Sequence, residues 1–125
     1  MTENEVSYLI RKCIFTVYNK LGPGLFESVY EATLAHELKK EGLTVHTQKP
    51  VPLFYDGIYL NPCFRIDILV ENKVILEIKS TSMLAEVHHK QLLTYLRLAN
   101  LKLGLLVNFN SADISQSIYR KVNNL

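Results

Sequence analysis

Two carboxylates and a lysine near the middle of the chain are the residues with the clearest chemical potential. Asp67 lies in the apolar segment 64–70, and Glu77 and Lys79 lie in the segment 74–79. Alternating apolar and polar residues predict a β-strand for each segment, with these three side chains on one shared face. Two carboxylates beside an amine are typical of a site that binds a divalent cation and uses it for hydrolysis.

The turn between the two predicted strands decides which residues face each other. Only a three-residue turn, which pairs Val70 with Val74, keeps the polar residues of both strands on the same face. This register sets Asp67 opposite Glu77, where the two carboxylates repel each other and lose hydration. A bound Mg²⁺ would remove both costs, because it accepts one or two carboxylates and fills its shell with water and phosphate oxygens.

A buried ion-pair network is the alternative interpretation of the same residues. The register also sets Arg65 opposite Lys79, and these two cations could neutralise the two carboxylates. An apolar face would be at least as stable as such a network, so the network leaves four ionisable groups on one face unexplained.

The surrounding segments predict the elements that hold these strands. Apolar residues at three- and four-residue spacing predict helices over residues 5–21, 25–40 and 85–99. Strands are predicted over residues 45–55, 58–60, 64–70, 74–79 and 103–109, with a short last strand near 118–122. Gly22-Pro23-Gly24 ends the first helix, and Pro50 and Pro52 confine the first strand to a sheet edge or make it irregular.

Several side chains of the second and third helices are predicted to face the core. In the second helix they are Phe26, Val29, Tyr30, Leu34 and Leu38; in the third they are Leu84, Val87, Gln91, Tyr95 and Leu98. Ser82 or Thr81 is the predicted N-cap of the third helix. Gln91 would place an amide where an aliphatic residue normally packs, and a buried amide needs hydrogen-bond partners.

Composition predicts an ordinary globular protein. The 125 residues are 48% hydrophobic and 21% charged, with a formal net charge of +2, so any basic surface must be local. No apolar stretch approaches the roughly 20 residues that cross a bilayer, and the acidic first residues do not resemble a signal peptide. We therefore expect a single domain over residues 1–125, a cytoplasmic location, and reduced thiols at Cys13 and Cys63.

Three motifs together resemble the PD-(D/E)XK nuclease superfamily. Asp67 followed by Glu-Ile-Lys at 77–79 is similar to its acid in one strand and acid-x-Lys in the next. Residues 24–30, GLFESVY, match the GxxExxY signature of a family of small bacterial and archaeal proteins within that superfamily. Residues 91–95, QLLTY, match the QxxxY motif of its RecB-like and lambda-exonuclease-like branches. The proline that precedes the first acid is replaced by Ile66, as is common among relatives.

The resemblance implies a fold, a cofactor and a substrate. The fold is α/β, a restriction-endonuclease-like α-β-β-β-α-β core with a central mixed sheet flanked by helices, plus an extra N-terminal helix. The activity is a metal-dependent hydrolysis of phosphodiester bonds in DNA, with Mg²⁺ as the ion and Mn²⁺ as a substitute. The alternative is a catalytically silent nuclease fold that binds nucleic acid or a protein partner, and a homodimer is compatible with either.

The resemblance also assigns roles to individual residues. The implied metal ligands are Asp67, Glu77, the Ile78 carbonyl and Glu27; the catalytic residues are Asp67, Glu77, Lys79, Gln91 and Glu27; the nucleic-acid contacts are Gln91, Tyr95, His88 and Arg65. Lys79 would position or activate the attacking water, and Gln91 would contact a water at the metal, Lys79 or the DNA backbone.

Each of these roles has a structural alternative. Lys79 could be only an ion-pair partner of Glu77, and Glu27 only a solvated acid near a helix N-terminus. Gln91 could bond a strand carbonyl, and His88 could simply be solvated.

Overall fold

The structure is a computed structural model that describes residues 1–61 and 64–125. Its helices are α1 (Glu3–Leu21), α2 (Glu27–Lys40) and α3 (Glu86–Ala99), with a short 3₁₀ turn at Ile114–Gln116. Its strands are β1 (Val45–Tyr55), β2 (Ile58–Val70), β3 (Val74–Lys79), β4 (Leu103–Asn108) and β5 (Ile118–Val122). The order confirms the implied α-β-β-β-α-β core with an extra N-terminal helix.

The start of α1 and the end of α2 lie at residues that satisfy free backbone groups of each helix. The Thr2 hydroxyl accepts the Glu5 N–H and the Glu5 carboxylate accepts the Thr2 N–H, so α1 starts two residues before its predicted position. Gly42, with φ +83°, follows the end of α2 and lets the Leu43 N–H reach the Leu38 carbonyl.

The strands form one mixed sheet in the order β1-β2-β3-β4-β5. Only β3 and β4 are parallel, and α3 makes the crossover between them. β1 lies at one edge, as its two prolines predict, and every residue of β4 is buried. The predicted short strand at the C-terminus is present as β5.

Helices cover both faces of the sheet. The first two helices pack against one face with Ile68, Leu76 and Val107, and α3 packs against the other with Ile75 and Leu106. No helix in the described part of the chain is long and apolar enough to cross a membrane. Cys13 is a free, buried thiol on α1, whereas the prediction for Cys63 falls outside the described residues.

The predicted core face of α2 is wrong at its N-terminal end. Phe26 is 83% exposed and Val29 is also exposed, while Tyr30, Leu34 and Leu38 are fully buried. The helix begins at Glu27, so Phe26 occupies the cap position outside the helical stripe.

The predicted core face of α3 is wrong at three of its five residues, whereas Leu84 and Tyr95 are partly buried against the core. Leu92 and Leu96 are its buried residues, and Val87, Gln91 and Leu98 are exposed. The helix is turned so that Leu92 packs on Gly104 of β4, where an added Cβ would lie 2.8 Å from Leu92 Cδ1.

The predicted N-caps of α3, Ser82 and Thr81, are wrong too. Ala85 occupies that position, and the His88 imidazole accepts its backbone N–H at 3.2 Å.

Candidate active site

Asp67 lies where β2 separates from β3. The three-residue turn pairs Val70 with Val74, as predicted, but the recorded ladder ends with Ile68 and Leu76, one pair short of Asp67 and Glu77. Asp67 Oδ2 instead accepts the Ile78 N–H at 2.9 Å. The carboxylate therefore takes the place of a ladder partner at the point where the strands open.

The predicted alternation of faces does not hold along β2. Ile66 belongs to the cluster under α3, whereas Ile68 belongs to the cluster under α1 and α2. The apolar side chains before and after Asp67 therefore point to opposite faces of the sheet. The change coincides with the end of the β3 ladder at Ile68 and with the positive φ of Gln48 on β1.

Glu77 is a buried carboxyl group beside Asp67. It is only 6% exposed, and its Oε1 accepts the Asp67 N–H at 3.3 Å. Burial raises the pKa of Glu77 to about 8, and the charge of Asp67 adds to that effect. The geometry brings together the two acids that the sequence pointed to, at an electrostatic cost that a bound cation would remove.

The alternative ion-pair network is absent from the described residues. The ion pairs recorded there join Lys12 to Glu41, Lys20 and Lys40 to Glu37, and Lys90 to Glu86. None involves Asp67 or Glu77.

Arg65 does not face Lys79 as predicted. It pairs with Pro50 of β1, and its Nη1 donates to the Gln48 carbonyl at 3.5 Å. Lys79 is half-buried, pairs with Asn108 of β4, and its charge has only a minor lowering effect on the pKa of Glu77.

Ile78 turns its backbone toward the opening between β2 and β3. In an extended strand the N–H and C=O of one residue point to the same side. Since the Ile78 N–H points at Asp67, its carbonyl faces the same gap. The implied third protein oxygen is therefore directed toward the two carboxylates.

The GxxExxY segment places Glu27 at this gap. Tyr30 is fully buried, stacks on Phe109 with ring centroids 4.3 Å apart, and donates its hydroxyl hydrogen to the Gly22 carbonyl at 2.6 Å. The same hydroxyl accepts the Leu25 N–H at 3.2 Å. Tyr30 thus clamps the turn that leads into α2 and sets the position of Glu27.

Ser80, the residue after Lys79, connects that turn to the end of β3. Its hydroxyl donates to the Leu25 carbonyl at 2.6 Å, and its N–H donates to Glu27 Oε2 at 3.2 Å. Glu27 is therefore held at the strand end that carries Glu77 and Lys79.

A cleft of about 290 Å³ joins these groups and contains two residues that sequence reasoning missed. Its lining residues are Glu27, Ser28, Glu31, Gln48, Asp67 and Ile78. The Gln48 amide donates to Glu31 Oε1 at 2.6 Å and lies 3.5 Å from Asp67 Oδ1. The four-residue spacing of Glu27 and Glu31 on one helix was a signal for Glu31, but nothing in the sequence marked Gln48.

Tyr95 of α3 packs against β2. It is half-buried and stacks on Phe64 with centroids 4.2 Å apart. Burial raises the pKa of Tyr95, and the charges of Glu77 and Asp67 add to that effect.

The structure does not bring Gln91 and His88 into the cleft. Gln91 is exposed, and its side chain makes no hydrogen bond within the described residues. The predicted buried amide is therefore wrong. His88 caps α3 through the Ala85 N–H.

The oxygen ligands at this site suit a hard cation that binds only a few protein atoms. Among the described residues, no group of three or more His, Cys, Asp or Glu side chains is arranged to hold a metal ion. Two carboxylates and a backbone carbonyl nevertheless suit Mg²⁺, which keeps several waters and takes substrate phosphate oxygens as ligands. Asp67 is half-buried beside the buried Glu77, and a cation bound there would favour the ionised form of both acids.

The comparison with known proteins gives one match. The family model described as PD-(D/E)XK nuclease superfamily matches residues 4–121. No curated protein and no solved structure matches the chain at a significant level.

Proposed function

The chain belongs to the PD-(D/E)XK nuclease superfamily, and from this premise we propose that it is a metal-dependent nuclease that hydrolyses phosphodiester bonds in DNA. The observation that carries the proposal is the buried Glu77 carboxyl beside Asp67, with no cationic side chain paired to either among the described residues. Burying two facing acids is costly unless a cation neutralises them.

Three acids and one backbone carbonyl at and beside the cleft have roles in this proposal. Asp67, Glu77 and the Ile78 carbonyl would hold Mg²⁺ or Mn²⁺, and Glu27 would contribute directly or through water. When bound, the ion supplies electrostatic stabilisation of the charge that develops on the phosphoryl oxygens. Because the superfamily acts on nucleic acid, the phosphodiester would approach this open end of the β2–β3 pair.

Lys79 would act on the attacking water. It follows Glu77 by two residues, so both side chains leave the same face of β3. Its amine would orient the water by a hydrogen bond and favour loss of its proton. The water oxygen bonds to phosphorus, the bond to the 3′ oxygen breaks, and that oxygen takes up a proton, which leaves a 5′-phosphate end.

The half-buried ring of Tyr95 would form the wall of the site on the α3 side. The exposed Gln91 and the half-buried His88 lie on the same helix, and the exposed Arg65 lies on β2. All three would contact the DNA backbone as it enters. The cytoplasmic location and a homodimer remain predictions.

Replacing Lys79 tests the catalytic role most selectively. We expect Lys79→Met to lower the single-turnover rate of DNA cleavage by about 100-fold or more, and to leave metal affinity nearly unchanged. The measurement uses end-labelled single- and double-stranded DNA, with an RNA of the same sequence as a third substrate, and ligation to detect 5′-phosphate ends.

Lys102→Met is the matched control, because Lys102 is exposed beside β4 and outside the cleft. It should cleave at the wild-type rate. A Lys79→Met protein that also cleaves at that rate would contradict the proposed role. DNA bound without metal and never cleaved, with steep dependence on salt, would identify the silent binding module instead.

A further inference from the structure

Gln48 has a backbone conformation that is unusual within a β-strand. Its φ is +49°, although its neighbours Thr47 and Lys49 pair regularly with Ile68 and Ile66. This register sets Gln48 opposite Asp67. Residues other than glycine rarely adopt such φ values. Backbone strain of this kind is found mostly at functional sites.

The strained backbone directs the Gln48 side chain into the cleft. Its amide nitrogen donates to Glu31 Oε1 at 2.6 Å and lies 3.5 Å from Asp67 Oδ1. The backbone carbonyl of Gln48 accepts from Arg65 Nη1 at 3.5 Å. The side chain therefore links α2 to β2 across the cleft, and Glu31 fixes the amide by a short, charge-assisted bond.

We propose that Gln48, anchored by Glu31, is a positioning residue that holds the Asp67 carboxylate in the orientation that binds the metal ion. This inference rests on the proposed function and extends it to two residues outside the superfamily motif. Gln48 acts through Asp67, and it does not itself contact the reacting atoms.

The need for such a restraint follows from the exposure of Asp67. Its side chain is only half-buried, so packing alone does not fix the orientation of the carboxylate. The Ile78 N–H holds one oxygen, Oδ2, from β3. Gln48 is placed against the other, Oδ1, from β1, so that the carboxylate is held from both sides.

Two substitutions separate the effect of the Gln48 amide from the effect of its backbone strain. Gln48→Ala removes the amide and keeps a side chain at positive φ, whereas Gln48→Gly removes the amide and relieves the strain. We expect both variants to lose metal affinity and kcat by about 10- to 100-fold, with KM within about twofold of wild type. The metal-free Gln48→Gly protein should melt no lower than wild type, which distinguishes lost positioning from lost folding.

Asn100→Gly is the matched control, since Asn100 also has a positive φ, of 54°, but caps the far end of α3. It should keep wild-type metal affinity and kcat. Glu31→Ala should reproduce the Gln48→Ala loss, and the double variant should lose little more than either single variant.

The experiment is calorimetric titration of Mg²⁺ and Mn²⁺ with parallel cleavage kinetics for all these proteins. Metal affinity and kcat within about threefold of wild type in Gln48→Gly would overturn the proposal. Fully additive losses in the double variant would show that Glu31 does not act through Gln48, and would overturn the anchoring. A wild-type protein that binds no metal would refute the proposed function itself. The titration of the wild type alone shows this, without any of the variants.

Discussion

At the scale of single residues, the protonation of Glu77 makes the free energy of unfolding depend on pH. Its ordinary pKa is 4.5 and burial raises it to about 8 in the folded protein. The folded state therefore binds the proton more tightly than the unfolded state. The resulting contribution to the free energy of unfolding is complete below about pH 4.5 and is lost as the pH rises through about 8.

Replacing Glu77 by glutamine should make this dependence visible. In EDTA at pH 9, we expect Glu77→Gln to melt about 4 °C or more above wild type, which corresponds to about 1 kcal/mol in a domain of this size. At pH 4 the two proteins should melt together, because the wild-type carboxyl is then neutral. Thermal denaturation followed by circular dichroism at both pH values measures the difference.

Glu37→Gln is the control, because the pKa of Glu37 is shifted in the opposite direction to that of Glu77. Glu37 is paired with Lys40 and Lys20, which lower the pKa of Glu37, so its substitution should bring no gain at pH 9. A Glu77→Gln protein that melts well below wild type at pH 9 would indicate that the carboxylate is stabilised by a partner, as in an ion-pair network.

The sequence predicted some residues of the site better than others. Asp67 and Glu77 were recognisable because a polar residue interrupts an apolar strand at each position. Gln48 was not, because its role depends on a positive φ within a strand and on a neighbour 19 residues away. Gln91 was misplaced because helical spacing alone does not fix the rotation of α3, which Gly104 and Leu92 determine by close contact.

At the scale of elements, the turn before α2 is held by one hydroxyl group. Tyr30→Phe keeps the ring stacked on Phe109 but removes the bonds to Gly22 and Leu25. We expect a loss of about 1–3 kcal/mol in the free energy of unfolding, and slower cleavage because Glu27 depends on this turn. Urea denaturation and cleavage kinetics on one preparation measure both effects.

Tyr18→Phe provides the comparison for that substitution. The Tyr18 hydroxyl donates to the Ser111 carbonyl, outside the cleft. Its loss should reduce stability but leave the cleavage rate unchanged. Equal cleavage rates in Tyr30→Phe and wild type would show that the turn does not position Glu27.

The contact of α3 with the sheet depends on Gly104. A Cβ there would lie 2.8 Å from Leu92 Cδ1, and Leu92 is 1% exposed, so it cannot move into solvent. We expect Gly104→Ala to lower the free energy of unfolding by about 1–3 kcal/mol, as urea denaturation would measure. The double variant Gly104→Ala/Leu92→Val should recover part of that loss; full additivity would contradict this packing.

At the scale of the whole molecule, periodicity predicted the order of elements well. The edge position of β1 agrees with Pro50 and Pro52, and the nearly unbroken apolar run of residues 103–109 agrees with the complete burial of β4. The opening of β2 from β3 at Asp67 was not predictable, because an alternating pattern assumes that a strand keeps its partner along its whole length. That opening creates the cleft.

The central claim is that Asp67 and Glu77 hold a divalent cation for hydrolysis. Calorimetric titration of Mg²⁺ into wild type and Asp67→Ala, followed by incubation of both with labelled DNA, tests it most directly. We predict metal binding and cleavage by wild type, with both lost in Asp67→Ala. If wild type binds no metal, or if Asp67→Ala binds and cleaves as wild type does, the claim is contradicted.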